Sequence, residues 1–151
     1  MNLFYPNNRF LTGCAENNHK SNLINCRLLF MQARAEKNFN KGADFAKLGD
    51  LEKAIALFDK ALTLEPDNDM LWVLRGTMLD DLGRYADSLD SYDKALAIKT
   101  DYAVAWYSRG VVLRKLCRYS DAIASFDRAI LLNPNYTDAK KHRELAARQC
   151  D

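Results

Sequence analysis

The residues able to do chemistry in this chain are few, and their spacing does not suit catalysis. Nucleophilic catalysis needs a hydroxyl or thiol within reach of a base. The two histidines, His19 and His142, fall in an irregular tail and a polar C-terminal segment. Two histidines without clustered cysteines do not make a transition-metal site. Cys14, Cys26, Cys117 and Cys150 form no C-x2-C pair, so free thiols in a cytoplasmic protein are expected rather than a zinc or disulfide framework. Asp80 and Asp81 are adjacent carboxylates, but neighbours on a helix do not face each other. As a general acid/base pair they are disfavoured against a solvated or ligand-facing patch. No glycine cluster matches a dinucleotide or phosphate loop. The chain therefore reads as a non-enzyme without a cofactor.

Composition narrows the classes further. The chain has 151 residues, 48% hydrophobic and 28% charged, with a formal net charge of +2. That is ordinary for a globular domain and far from the basic balance of a nucleic-acid binder. No stretch approaches 18 consecutive apolar residues, so no membrane span is expected. Arg9, Asn25 and Arg27 interrupt the apolar residues near the start, which does not suit a secretory leader.

What the sequence does show is repetition. Trp106, Arg109, Gly110, Leu113, Ala122 and Phe126 recur 34 residues earlier as Trp72, Arg75, Gly76, Leu79, Ser88 and Tyr92, while Thr100 replaces the proline found at Pro134. A second shift brings up Gly42, Phe45, Ala54, Phe58 and Pro66. The pattern resembles the tetratricopeptide repeat, with its W-x2-L-G-x2-Y, A-x3-F and P signature. The fold implied is all-α, an α-α superhelix of three helix-turn-helix repeats plus a C-terminal capping helix.

The expected organisation is an irregular tail over 1–20, a helical segment over 21–34, repeats over 35–68, 69–102 and 103–136, and a capping helix over 137–151. Leu23, Ile24, Leu28, Leu29 and Met31 give the 21–34 segment an apolar face that can pack on the open side of the first repeat. Met31 is an alternative start of the protein. In the first repeat a helix is expected from about Ala33 to Leu48, stopping at Gly49, with Asp50 capping a second over Leu51–Leu64. Pro66 ends that helix. Asp67, Asn68 and Asp69 are cap candidates for the second repeat and Asp101 for the third, which turns at Cys117 where the others have Gly49 and Gly83.

The repeat has a physical logic. Gly42, Gly76 and Gly110 sit mid-helix, where glycine costs about 1 kcal/mol against alanine, so a close neighbour is expected there, opposite Ala54, Ser88 and Ala122. Leu48, Leu82 and Leu116 are expected to complete apolar layers. Asn38 stands where the other repeats have Trp72 and Trp106, which are read as packing residues rather than base-stacking ones. Lys41, Arg75 and Arg109 recur with Asp59, Asp93 and Asp127, which suggests an ion pair within a repeat or between neighbours.

The resemblance also places a ligand groove on the first helices. It implies contact positions at Phe39, then Val73, Thr77, Asp80 and Asp81, then Tyr107, Val111, Arg114 and Lys115. Phe39, Val73 and Tyr107 make an apolar line, with Asp80 and Asp81 facing Arg114 and Lys115 as ligand contacts or as an inter-repeat ion pair. The chaperone-binding carboxylate clamp of this family is absent, because Phe39, Ala43, Leu74, Val104 and Ser108 occupy its positions. The function implied is a scaffold or adaptor binding a protein or peptide in the concave groove, in the cytoplasm, without nucleic acid or membrane. The alternative is a self-associating unit that stacks end to end.

Overall fold

The computed structural model describes residues 19–149, so residues 1–18 of the tail lie outside it. Among the described residues the chain is all helix: α1 (His19–Lys47), α2 (Leu51–Leu64), α3 (Asp69–Asp81), α4 (Tyr85–Ile98), α5 (Ala103–Lys115), α6 (Tyr119–Leu132) and α7 (Thr137–Ala147).

Local signals set the helix ends. Asp50 caps α2, its carboxylate accepting from the Lys53 amide at 3.4 Å and the Lys53 ammonium at 2.5 Å. Asn68 caps α3 by accepting from the Leu71 amide at 3.1 Å. The first helix of each pair closes through a left-handed residue, at Gly49 (φ 79°), Gly83 (φ 73°) and Cys117 (φ 57°). Just beyond each, the amides of Asp50, Arg84 and Arg118 reach back to the carbonyls of Phe45, Leu79 and Leu113 at 3.0, 2.8 and 2.9 Å. Such closures satisfy carbonyls that a helix end would otherwise leave open.

Helices pack as α1–α2, α3–α4 and α5–α6, and each second helix also packs against the next first helix, so α7 closes on α6. In addition α3 touches α5, and α5 touches α7. First helices therefore form an inner row, as a twisted stack of helical pairs requires.

The mid-helix glycines are seats for aromatic rings. A Cβ built on Gly42, Gly76 or Gly110 would lie 2.8, 2.9 or 2.6 Å from the rings of Phe58, Tyr92 and Phe126. Those three rings are essentially fully buried, each contributing roughly 2–3 kcal/mol of apolar burial. The Ser88 hydroxyl donates to the Gly76 carbonyl at 2.8 Å, tying the second helix to the same spot. On the outer side, the indole N–H groups of Trp72 and Trp106 donate to the carbonyls of Pro66 and Thr100, both at 2.8 Å. The acceptor is backbone, so Thr100 serves as well as proline.

The recurring charges lie between units. Arg75 meets Asp59 at 2.7 Å, Arg109 meets Asp93 at 2.7 Å, and Arg143 of the cap meets Asp127 at 2.6 Å. Lys41 makes no ion pair among the described residues.

Three expectations need correction. The 21–34 segment is not a separate element and does not fold back: α1 is continuous from His19, and Leu23, Ile24, Leu28, Leu29, Phe30 and Met31 are all exposed. Ala33, Arg34, Ala35 and Glu36 supply no cap or breaker, so the helix propagates through them. Asp101 does not cap α5; its N-cap is Tyr102, with no side-chain hydrogen bond. Leu48 joins no layer and is 80% exposed, because it lies past the end of α1 in the turn.

Candidate functional site

The inner row of first helices carries the candidate residues, and the structure treats them unequally. Phe39 packs on Phe58, ring centroids 6.3 Å apart, and lines a cavity of about 160 Å3 with Ala35, Glu65, Met70 and Leu71. Val73 is only 6% exposed and belongs to the core around Tyr92, so it offers little surface to a ligand. The apolar line is therefore interrupted at its middle member. Thr77 is half-buried; its hydroxyl donates to the Val73 carbonyl at 3.0 Å and lies 3.3 Å from the Tyr92 hydroxyl. Val111 packs against the core around Phe126.

The charged members separate as well. Lys115 bridges to Asp80 at 2.7 Å, with the Asp80 side chain 15% exposed and the Lys115 side chain 35%. The same ammonium lies 5.5 Å from the centre of the Tyr85 ring. This is an inter-repeat ion pair, which neutralises one groove cation. Asp81 points to solvent. Arg114 is half-buried, and its Nε is enclosed without a hydrogen-bond partner among the described residues.

Tyr107 sits at the centre of an aromatic cluster at the cap end. Its ring lies 4.8 Å from Tyr136, 6.0 Å from Phe126 and 5.6 Å, edge-on, from His142. Burial chiefly, with the Asp138 charge, pushes the Tyr107 hydroxyl pKa up, while Arg114 opposes. For Tyr136 the causes are burial, then Tyr107 and Asp138. Burial, then Arg114, holds the His142 imidazole below its ordinary pKa against a smaller opposing effect of Asp138. The His142 Nδ1 is also enclosed without a hydrogen-bond partner among the described residues.

With this geometry in place, comparison with known proteins decides the family. Profiles of the tetratricopeptide repeat match residues 39–103 and 103–136. The chain belongs to the tetratricopeptide repeat family. Among solved structures, it is similar to the tetratricopeptide domain of Arabidopsis OM64, at 24% identity and TM-score 0.75 over 78% of this chain and 98% of that one. It is similar to the first tetratricopeptide domain of Spaghetti (RPAP3) bound to the HSP90 peptide SRMEEVD, at 23% identity and TM-score 0.75 over 78% and 93%. The TPR2B domain of yeast Sti1, in complex with an Hsp70 ligand, matches at 15% identity and TM-score 0.73 over 78% and 98%. These likenesses establish the superhelix. An uncharacterized protein of Methanocaldococcus jannaschii is 36% identical over 55 residues, which span 36% of this chain and 64% of that relative.

Sequence reasoning missed His142, reading it only as part of a polar cap. Its place against Tyr107 depends on how α7 docks on α5, which no local pattern in this tetratricopeptide chain reveals. Among the described residues no group of histidine, cysteine and carboxylate side chains is arranged to hold a metal. None of the described helices is long and apolar enough to cross a membrane.

Proposed function

We propose that the protein is a non-catalytic interaction module, a cytoplasmic scaffold or adaptor that lays a peptide or protein segment along its inner row of helices. One observation carries this reading. α3 and α5 each leave an apolar side chain open at the equivalent place, Met70 and Val104, both 46% exposed. With Phe39 at one end and Tyr107 and Arg114 at the other, they offer apolar contact beside a charge, the composition of an interaction surface. Two of the structural neighbours are complexes with peptide or chaperone ligands, which supports the same use here. Asp80 and Lys115 serve as framework on this reading, because each satisfies the other.

The test is capture of partners from native lysate on wild-type protein and on Val104→Glu and Tyr107→Ala, Arg114→Glu variants. Loss of the same partners from both variants, with helix content unchanged, supports the groove. Undiminished binding to both places the function elsewhere.

A second reading is favoured by α1, whose N-terminal half leaves Leu23, Ile24, Leu28, Leu29, Phe30 and Met31 exposed. Such a face can mediate self-association. Light scattering across a concentration series tests it, and a constant monomer mass excludes it.

A further inference from the structure

Where α1 passes the turn between α2 and α3, two adjoining cavities open that share Glu65 and Asn68. The larger, of about 510 Å3, has an apolar floor of Leu28, Met31 and Leu64 and an acidic lip of Glu65, Asp67 and Asp69. The smaller, of about 160 Å3, is walled by Phe39, Met70 and Leu71 and edged by Glu36 and Glu65. The Asn68 amide donates to Glu65 Oε2 at 3.0 Å, which holds that carboxylate in place. No lysine or arginine lines either cavity. The ion pairs among the described residues use other carboxylates, and Glu36, Glu65, Asp67 and Asp69 enter none of them. Asp69 is accounted for by its place in the first turn of α3, where the helix dipole favours a negative charge. Glu36, Glu65 and Asp67 have no such compensation.

We infer that this groove receives a basic and apolar stretch of the ligand, with one lysine or arginine seated in the smaller cavity. This assignment deepens the reading of the inner row as a peptide site and rests on it for the ligand being a peptide. Sites for whole small molecules run to about 300–1,000 Å3, so 160 Å3 suits a single long side chain. The methylene stem of a lysine or arginine packs on Phe39 and Met70 while its charged head meets Glu36 and Glu65. The larger cavity takes an apolar neighbour of that residue on Leu28, Met31 and Leu64, and Asp67 at its lip faces a second cation. A wholly acidic rim over an apolar floor selects by charge, admitting cations and repelling acidic chains. Phe39, which stands at a position of the carboxylate clamp, thus walls a site of the opposite charge preference.

Fluorescence anisotropy on the full chain tests this with three acetylated, amidated octapeptides that share one leucine-containing framework. One carries two lysines, one two glutamines and one two glutamates. The lysine peptide should bind about 10-fold more tightly than the glutamine peptide, and the glutamate peptide more weakly than either. Glu36→Gln and Glu65→Gln together should remove the preference at unchanged helix content, and added salt should shrink it. Glutamine at 65 still accepts from Asn68, so the turn is kept. If the three peptides bind alike and Val104→Glu weakens them all, the acidic site is overturned and the reading of the inner row survives. If the lysine preference depends on Glu36 and Glu65 but Val104→Glu leaves binding intact, the acidic site stands and a ligand laid along the whole row is excluded. If no peptide binds, both fall. Light scattering on the same samples reads the other occupant. A wild-type dimer that separates in the double variant would mean that a second copy, with its Arg27 beside Leu28, fills the groove, which overturns the peptide assignment.

Discussion

Arg109 is held by two units at once: its Nε donates to Asp93 of the preceding unit at 2.7 Å and its Nη1 to Ser125 of its own at 2.9 Å. Arg75 repeats the arrangement with Asp59 at 2.7 Å and Ser91 at 2.6 Å. The arginine side chains are only 24% and 19% exposed, so these bonds are better shielded than surface ion pairs. Arg109→Leu is expected to cost about 1–2 kcal/mol by urea unfolding. A double-mutant cycle with Asp93→Asn should return a coupling of about 0.5–1 kcal/mol, reduced in high salt. Coupling indistinguishable from zero would leave Asp93 without a structural role.

Gly110→Ala sets two effects against each other. Alanine favours a helix interior by about 1 kcal/mol over glycine. Here, however, the new methyl would lie 2.6 Å from the buried Phe126 ring. Displacing such a ring costs about 1–3 kcal/mol, so overpacking should win. The thermal midpoint should fall, and pairing the change with Phe126→Leu should recover part of the loss.

Cys117 takes a left-handed conformation, φ 57°, at the turn where the other pairs use glycine. That conformation costs a non-glycine residue about 1–2 kcal/mol. Its side chain is exposed, so little packing is lost on removal. Cys117→Gly should therefore stabilise by about 1 kcal/mol, offset in part by the greater freedom of glycine when unfolded. Chemical denaturation should show a higher midpoint with an unchanged slope.

His142 gives the fold a pH dependence of definite sign. Burial first, then Arg114, lower its pKa in the folded chain. Over that interval the unfolded state binds more protons, so folding stability is fully present above the ordinary imidazole pKa and declines as pH falls toward the folded value. His142→Gln should flatten the stability profile below about pH 6.5, before carboxylates begin to titrate. A profile identical to wild type would show that the imidazole titrates freely in the folded chain.

Much of this fold is legible in the sequence because its determinants are local or periodic. Gly49 and Gly83 mark turns, Asp50 caps the helix it precedes, and each glycine–aromatic pair recurs at fixed spacing. What escaped depends on long-range geometry or on a missing signal. Nothing between Ser21 and Lys47 announces whether a helix stops, and α1 runs straight through. Lys115 meets Asp80 across 35 residues of chain, so charge pattern alone could not separate an internal ion pair from a ligand contact. Val73 sits on a first helix as the repeat pattern expects, yet it packs among Tyr92, Leu96 and Ala105 in the core. His142 becomes notable only once α7 is docked on α5.

The arginine links join each unit only to the one before it, and the series begins at Arg75. Among the described residues Lys41 finds neither a carboxylate nor the serine that Arg75 and Arg109 use, since Leu57 stands where Ser91 and Ser125 are. The stack thus resembles a zip whose first tooth is missing. Loss of order should enter at the α1 end and travel inward, one pair at a time, before α5 and α6 release. Amide exchange would record this as protection rising from α1 toward Phe126. A protein built this way can loosen one end while the cluster around Tyr107 keeps its shape.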